Sequence, residues 1–95
     1  IQEEYRFVVV NGQVVTGCTY KKYDQAYMSE SFPEGASKLV EESIKLWQPA
    51  EVYVIDVALS ERKFKIIECN AFNSAGLYKC DTTKIVKAIN ELLGK

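Results

Sequence analysis

Val52-Tyr53-Val54-Ile55-Asp56-Val57-Ala58, together with Lys65-Ile66-Ile67-Glu68-Cys69-Asn70-Ala71-Phe72 downstream, decides how this chain folds. Both halves are rich in β-branched residues and read as strands, joined by the polar loop Ser60-Glu61-Arg62-Lys63. Glu68 and Asn70 stand two apart, so an extended chain projects them to one side of a sheet. A simple hairpin sets Asp56 opposite Glu68, to within one residue of register. Two carboxylates and an amide oxygen then converge on one spot. Like charges that close repel unless something cationic sits between them. An all-oxygen set of this kind suits Mg²⁺, which takes one or two carboxylates and completes its shell with water and phosphate. The plainer reading makes Asp56 an edge residue and Glu-Cys-Asn ordinary strand-to-turn chemistry. Taken together the two strands favour a site, because charged residues are seldom buried without a partner.

Upstream, residues 5–10 and 13–20 form two strands around Asn11-Gly12, a strong short hairpin signal. A two-residue turn pairs Val10 with Gln13 and, counting outward, Arg6 with Gly17. Arg6 then shares a face with Thr19 and Lys21. Such a face suits phosphate, with Arg forking onto two oxygens and Lys acting as a point charge; spacing alone fits an outward ladder of ordinary cations equally well. Gly17 reads as a position kept clear for a ligand, or as a bulge. Residues 22–32 have no clear period and read as an irregular connection.

Residues 33–47 read as a helix that is scaffold, with Ala36, Leu39, Val40, Ile44 and Trp47 on its core face and Pro49 ending it. Residues 71–79 form a loop of small residues whose Asn73, Ser74 and Gly76 can present donors beside the acids. Asp81 or Thr82 caps a last helix with the apolar stripe Ile85, Val86, Ile89, Leu92 and Leu93, and Gly94 suits its C-terminal end. Strand alternation turns Cys69 away from Glu68 and toward the core. The expected fold is α+β: an antiparallel sheet of about four strands with two helices on one face, in the order ββαββα.

Ninety-five residues make at most one domain. A net charge of −1 argues against a general electrostatic grip on nucleic acid or an anionic membrane. No apolar run approaches the roughly 20 residues of a membrane span. Three widely spaced cysteines and no histidine make structural zinc improbable, exclude Ser-His and Cys-His catalytic pairs, and point to a reducing cytoplasm.

The Asp in a β-branched strand, and the Glu68-Cys69-Asn70 that closes the next strand and runs into small residues, resemble the metal-binding end of ATP-grasp enzymes. Glu4-Tyr5-Arg6-Phe7-Val8-Val9-Val10-Asn11-Gly12-Gln13-Val14-Val15 is similar to the strand-turn-strand that opens the C-terminal subdomain in many members. Phe72-Asn73-Ser74-Ala75-Gly76-Leu77-Tyr78 resembles a bacterial and phage subfamily more than the well-studied ligases, which usually carry a Pro-Gly here. The likeness runs from Glu4 to about Leu93.

It implies that Asp56, Glu68 and Asn70 hold Mg²⁺ ions bridging the phosphates of ATP. It implies a catalytic, ATP-contacting Arg6 at the transferring phosphate, with Lys21 a further contact to phosphate or substrate. The implied reaction activates a carboxylate as an acyl phosphate and joins it to an amine or similar nucleophile. The carboxylate substrate stays unnamed. The chain lacks a glycine-rich phosphate loop and begins at Ile1, so the resemblance implies the C-terminal part of a larger enzyme, inactive alone, whose N-terminal subdomain supplies that loop. The competing reading is a non-catalytic α+β interaction module with structural acids. ATP turnover in the full-length protein, lost on alanine substitution of Glu68, separates the two.

Overall fold

The computed structural model describes residues 2–72 and 76–94. Five strands form one antiparallel sheet in the order β3-β2-β1-β4-β5. They are β1 (Glu3–Val10), β2 (Gln13–Lys22), β3 (Gln25–Ser29), β4 (Val52–Ser60) and β5 (Lys63–Ala71); the helices are α1 (Glu34–Leu46) and α2 (Thr82–Leu92). The α+β class and antiparallel sheet are as expected, with a fifth strand where an irregular connection was anticipated. β3 is short and largely exposed, so it never shows the apolar alternation by which strands are recognised.

All three hairpins turn on two residues of positive φ. These are Asn11-Gly12 at 49° and 77°, Tyr23-Asp24 at 49° and 64°, and Glu61-Arg62 at 50° and 66°. That is the turn whose twist matches paired strands, and only the first pair carries residues suited to it.

β1 lies at the centre and is buried on both faces. Tyr5, Phe7 and Val9 pack with Tyr53, Ile55 and Val57 against Ala36 and Val40 of α1. Val8 and Val10 pack with Cys18 and Val54 against Ile85 of α2. Alternating residues of one strand serve different helices, so α1 and α2 cover opposite faces rather than sharing one. A strand apolar at consecutive positions needs cover on both sides.

Two positions read as core are exposed. Trp47 is the C-cap of α1 with φ −167°, so the helical period ends at Leu46 and the indole, 66% exposed, leaves the buried stripe. Cys69 does point away from Glu68, opposite Ile55, but β5 is an edge strand and the thiol lines a shallow apolar recess with Leu46, Trp47 and Ile66. In α2, Ile85 is buried and Ile89 and Leu92 pack beside it, whereas Val86 and Leu93 face outward. Asp81 caps this helix by accepting from the Lys84 backbone N–H at 3.1 Å. Its own N–H donates to Thr16 Oγ1 at 3.0 Å, which pins the helix start to β2.

Candidate functional site

Register sets the site. Arg6 pairs with Cys18 on β2 and Asp56 on β4, and Asp56 pairs with Glu68 on β5. One row across four strands therefore reads Cys18, Arg6, Asp56, Glu68, on the face covered by α2. Asn70, opposite Val54, falls in the next row of the same face.

Irregularities in the ladder help to build this row. Between β4 and β5 the turn pairs Ser60 with Lys63 and Val57 with Ile66; straight counting would then set Ile67 opposite Asp56. A bulge leaves Ile67 unpaired and brings Glu68 there instead. Between β1 and β2 a shift at Val8/Val9 moves Arg6 from Gly17 to Cys18. Gly17 thus faces Phe7, on the other side of the sheet. An added Cβ would lie 2.6 Å from Phe7 Cε1 and 3.2 Å from Phe32 Cδ2, so this glycine makes room for an aromatic pair rather than a ligand. Thr19 also lies on that other side, opposite Tyr5, and its hydroxyl donates to the Ser31 carbonyl at 2.7 Å. A second shift restores Lys21 to the Arg6 side, opposite Glu4.

Arg6 and Asp56 meet as a fork. Arg6 Nε donates to Asp56 Oδ1 and Nη2 to Oδ2, both at 2.8 Å. The remaining Nη1 donates to the Gly76 carbonyl at 2.7 Å. Both side chains are buried, Asp56 almost completely. Hydrogen bonding to Asp56 raises the Arg6 pKa further, so the guanidinium is always charged.

Tyr20 and Tyr78 stack face to face at 4.7 Å, and the Arg6 guanidinium carbon lies 5.5 and 5.0 Å from their ring centres. The Tyr20 hydroxyl lies 3.0 Å from Glu4 Oε1 and 3.3 Å from Asp56 Oδ2. Burial first, and then the negative charge of Asp56 and Glu4, push its phenol pKa up.

Glu68 is exposed and Asn70 half-buried. Among the described residues, no group of three or more His, Cys, Asp or Glu lies close enough to hold a metal ion. Lys21 lies one row out, 3.3 Å from Glu4 and 4.0 Å from Asp24. Asn73 and Ser74 lie outside the described residues. Gly76, expected as a donor, enters instead as the acceptor of an Arg6 hydrogen bond.

A family model described as an ATP-grasp domain, the second family of its clade, matches residues 1–88. The chain belongs to this ATP-grasp family. No curated protein and no solved structure matches it. Membership makes this a nucleotide-binding fold. In this ATP-grasp domain the acids and the cation lie on a single face of the central sheet.

Tyr20 and Tyr78 are the site residues that sequence reasoning missed. Tyr20 occupies a bulge between Thr19 and Lys21, where strand alternation gives no direction to its side chain. Tyr78 has positive φ in the segment before α2, far from Arg6 in sequence. A Tyr two residues after Gly76 was the one available signal, and it names no partner.

Proposed function

We propose that this domain forms the phosphate- and metal-facing wall of an ATP-dependent carboxylate–amine ligase. Activation of the carboxylate as an acyl phosphate would precede attack by the amine. The observation that carries the reading is the row Arg6, Asp56, Glu68, with Asn70 beside it: one fixed cation and three oxygen donors on one face.

The donor set fits Mg²⁺. Its atoms are hard oxygens, and Mg²⁺ needs few protein ligands when phosphates supply the rest. Asp56, Glu68 and Asn70 would hold it, and when bound it would offset charge on the phosphate oxygens. Asp56 directs both oxygens at Arg6. Its carboxylate is thereby held at a defined place; Oδ2 also meets the Tyr20 hydroxyl at 3.3 Å, so the second lone pair of Oδ1 is the one left for further contact. Arg6 is the group suited to the transferring phosphate, because its charge is permanent and pre-oriented by Asp56, Gly76 and two rings. Lys21 serves phosphate or substrate from the rim. Substrate groups that set the carboxylate and the amine belong to a companion subdomain.

Calorimetry of ATP binding with and without Mg²⁺, on the full-length protein and its Glu68→Ala form, tests the reading. Glu68 is exposed, so the variant should match the parent in thermal stability while Mg²⁺-dependent binding falls at least about tenfold, a loss of about 1.4 kcal/mol. Equal binding by both proteins would sink the assignment of Glu68. A folded parent that binds no ATP at all would remove the ligase reading.

A further inference from the structure

Two of the three cysteines meet behind Arg6. Cys18 pairs with Arg6 from β2, and Cys80 directly precedes the cap of α2. Their sulfurs lie 3.3 Å apart although 62 positions separate them in sequence. The Cys80 sulfur also lies 3.6 Å from the Arg6 carbonyl, and Cys18 lies 3.9 Å from that of Leu77. Both are buried, but Cys80 stands on the wall of an open cavity of about 590 Å³ shared with Gly17, Tyr78, Lys79 and Lys84. Cys69 is on the opposite face of the sheet and exposed.

Structural cysteines bury singly as small hydrophobes. A pair in sulfur contact, one of them on a cavity wall, has a different chemistry open to it. We propose that Cys18 and Cys80 form a reversible disulfide under a hydroperoxide, fastening the segment that carries Tyr78 onto β2 behind Arg6.

The step balances. One sulfur attacks the peroxide O–O bond, giving a sulfenic acid and, with one proton, the alcohol of the hydroperoxide, or water where the oxidant is hydrogen peroxide. The second sulfur then displaces hydroxide from the first, and its own proton leaves with that hydroxide as water. Two electrons pass from the sulfurs to the peroxide, and a dithiol returns the pair to thiols. Bond formation shortens the sulfur separation from 3.3 Å to about 2.05 Å. Hydrogen bonding from Cys80 lowers the Cys18 pKa, which favours Cys18 as the attacking thiolate in this sulfur contact.

Cross-linking Cys18 to Cys80 closes a long loop and ties β2, the neighbour of β1, to the start of α2, next to the segment whose Gly76 and Tyr78 contact Arg6 of β1. Oxidation of either sulfur alone to a sulfinic or sulfonic acid would not do this.

The test treats the chain with hydrogen peroxide, blocks free thiols with iodoacetamide and maps peptides by mass. The expected result is the loss of two hydrogens, a Cys18–Cys80 cross-linked peptide, and alkylation of Cys69 alone. The melting midpoint should rise by about 10 °C and return with dithiothreitol. Cys69→Ser should keep both effects, and Cys18→Ser should lose both. Oxygen addition at Cys80 or Cys69 with Cys18 still alkylated would overturn the proposal. So would recovery of all three cysteines as alkylated thiols.

Discussion

Asp56→Asn removes the charge from one side of the forked pair while keeping the side chain's shape. Arg6 is 8% exposed and cannot turn to water without leaving the sheet row. It keeps the Gly76 carbonyl at 2.7 Å and the faces of Tyr20 and Tyr78. It loses one of two charged acceptors at 2.8 Å, because an amide offers one oxygen and turns an NH₂ toward the other guanidinium nitrogen. Removing one member of a buried ion pair costs about 3–5 kcal/mol. Cation–π contacts worth about 1 kcal/mol survive, which places the expected loss near the lower bound, about 3 kcal/mol. A chain of 95 residues has a total stability of about 5–14 kcal/mol, so the variant remains mostly folded and measurable. Urea denaturation followed by circular dichroism at constant slope gives the number. The double variant Arg6→Met, Asp56→Leu should be closer to the parent than Asp56→Asn is, since replacing a buried pair by apolar groups is often neutral. A loss below about 1 kcal/mol for Asp56→Asn, or a double variant worse than the two single changes added, would refute the account of the pair as buried and mutually dependent.

Tyr20→Phe deletes a hydroxyl shared by Glu4 and Asp56, at a cost of about 1.5 kcal/mol near neutral pH, read by the same denaturation. Its pH profile also changes: the folded chain holds the Tyr20 proton above the ordinary phenol range, while the unfolded chain releases it near pH ~10. The unfolded state then binds fewer protons, so parent stability falls above that pH, and the variant should fall less steeply by about 1.4 kcal/mol per pH unit. Tyr5, whose phenol is pushed up mainly by burial, keeps part of the slope in both proteins. An unchanged alkaline slope would contradict the placement of Tyr20. Glu61→Asn with Arg62→Gly installs residues suited to positive φ at an exposed turn and should raise the melting midpoint by about 4 °C, from roughly 1 kcal/mol; a fall would mean the turn is not strained as built. Gly17→Ala drives a methyl into the Phe7 ring and should cost about 2 kcal/mol in chemical denaturation, whereas an unaffected variant would show that the strand shifts freely.

Much of the sheet was legible because its signals are local. Asn11-Gly12 marks the β1-β2 hairpin, and the β-branched runs around Asp56 and Glu68 mark the β4-β5 hairpin. Asp56 opposite Glu68 could be counted from the turn to within one residue, and the bulge at Ile67 supplies that one residue. The same counting failed for Gly17 and Thr19, because a bulge inside β2 has no signature in residue type. Tyr23-Asp24 hid the β2-β3 turn, since Tyr23 is rare at positive φ and β3 has no buried face to set a pattern. Trp47 was misplaced for a related reason: periodicity projects past a helix end unless the cap is known. The Arg6 cradle was the least legible part. Its partners come from positions 20, 56, 76 and 78, which only the folded topology brings together.

The row of site residues runs from the most protected strand to an unprotected one. Arg6 and Asp56 sit on β1 and β4, paired on both sides, while Glu68 and Asn70 sit on β5, whose outer edge has no neighbouring strand among the described residues. Amides of β1 should therefore exchange with solvent only on global unfolding, and those of β5 through cheap local opening. Any ion gripped from both strands must first hold the edge closed, and part of its binding energy goes into that ordering. Its arrival would then be legible as slowed exchange in β5 with β1 unchanged.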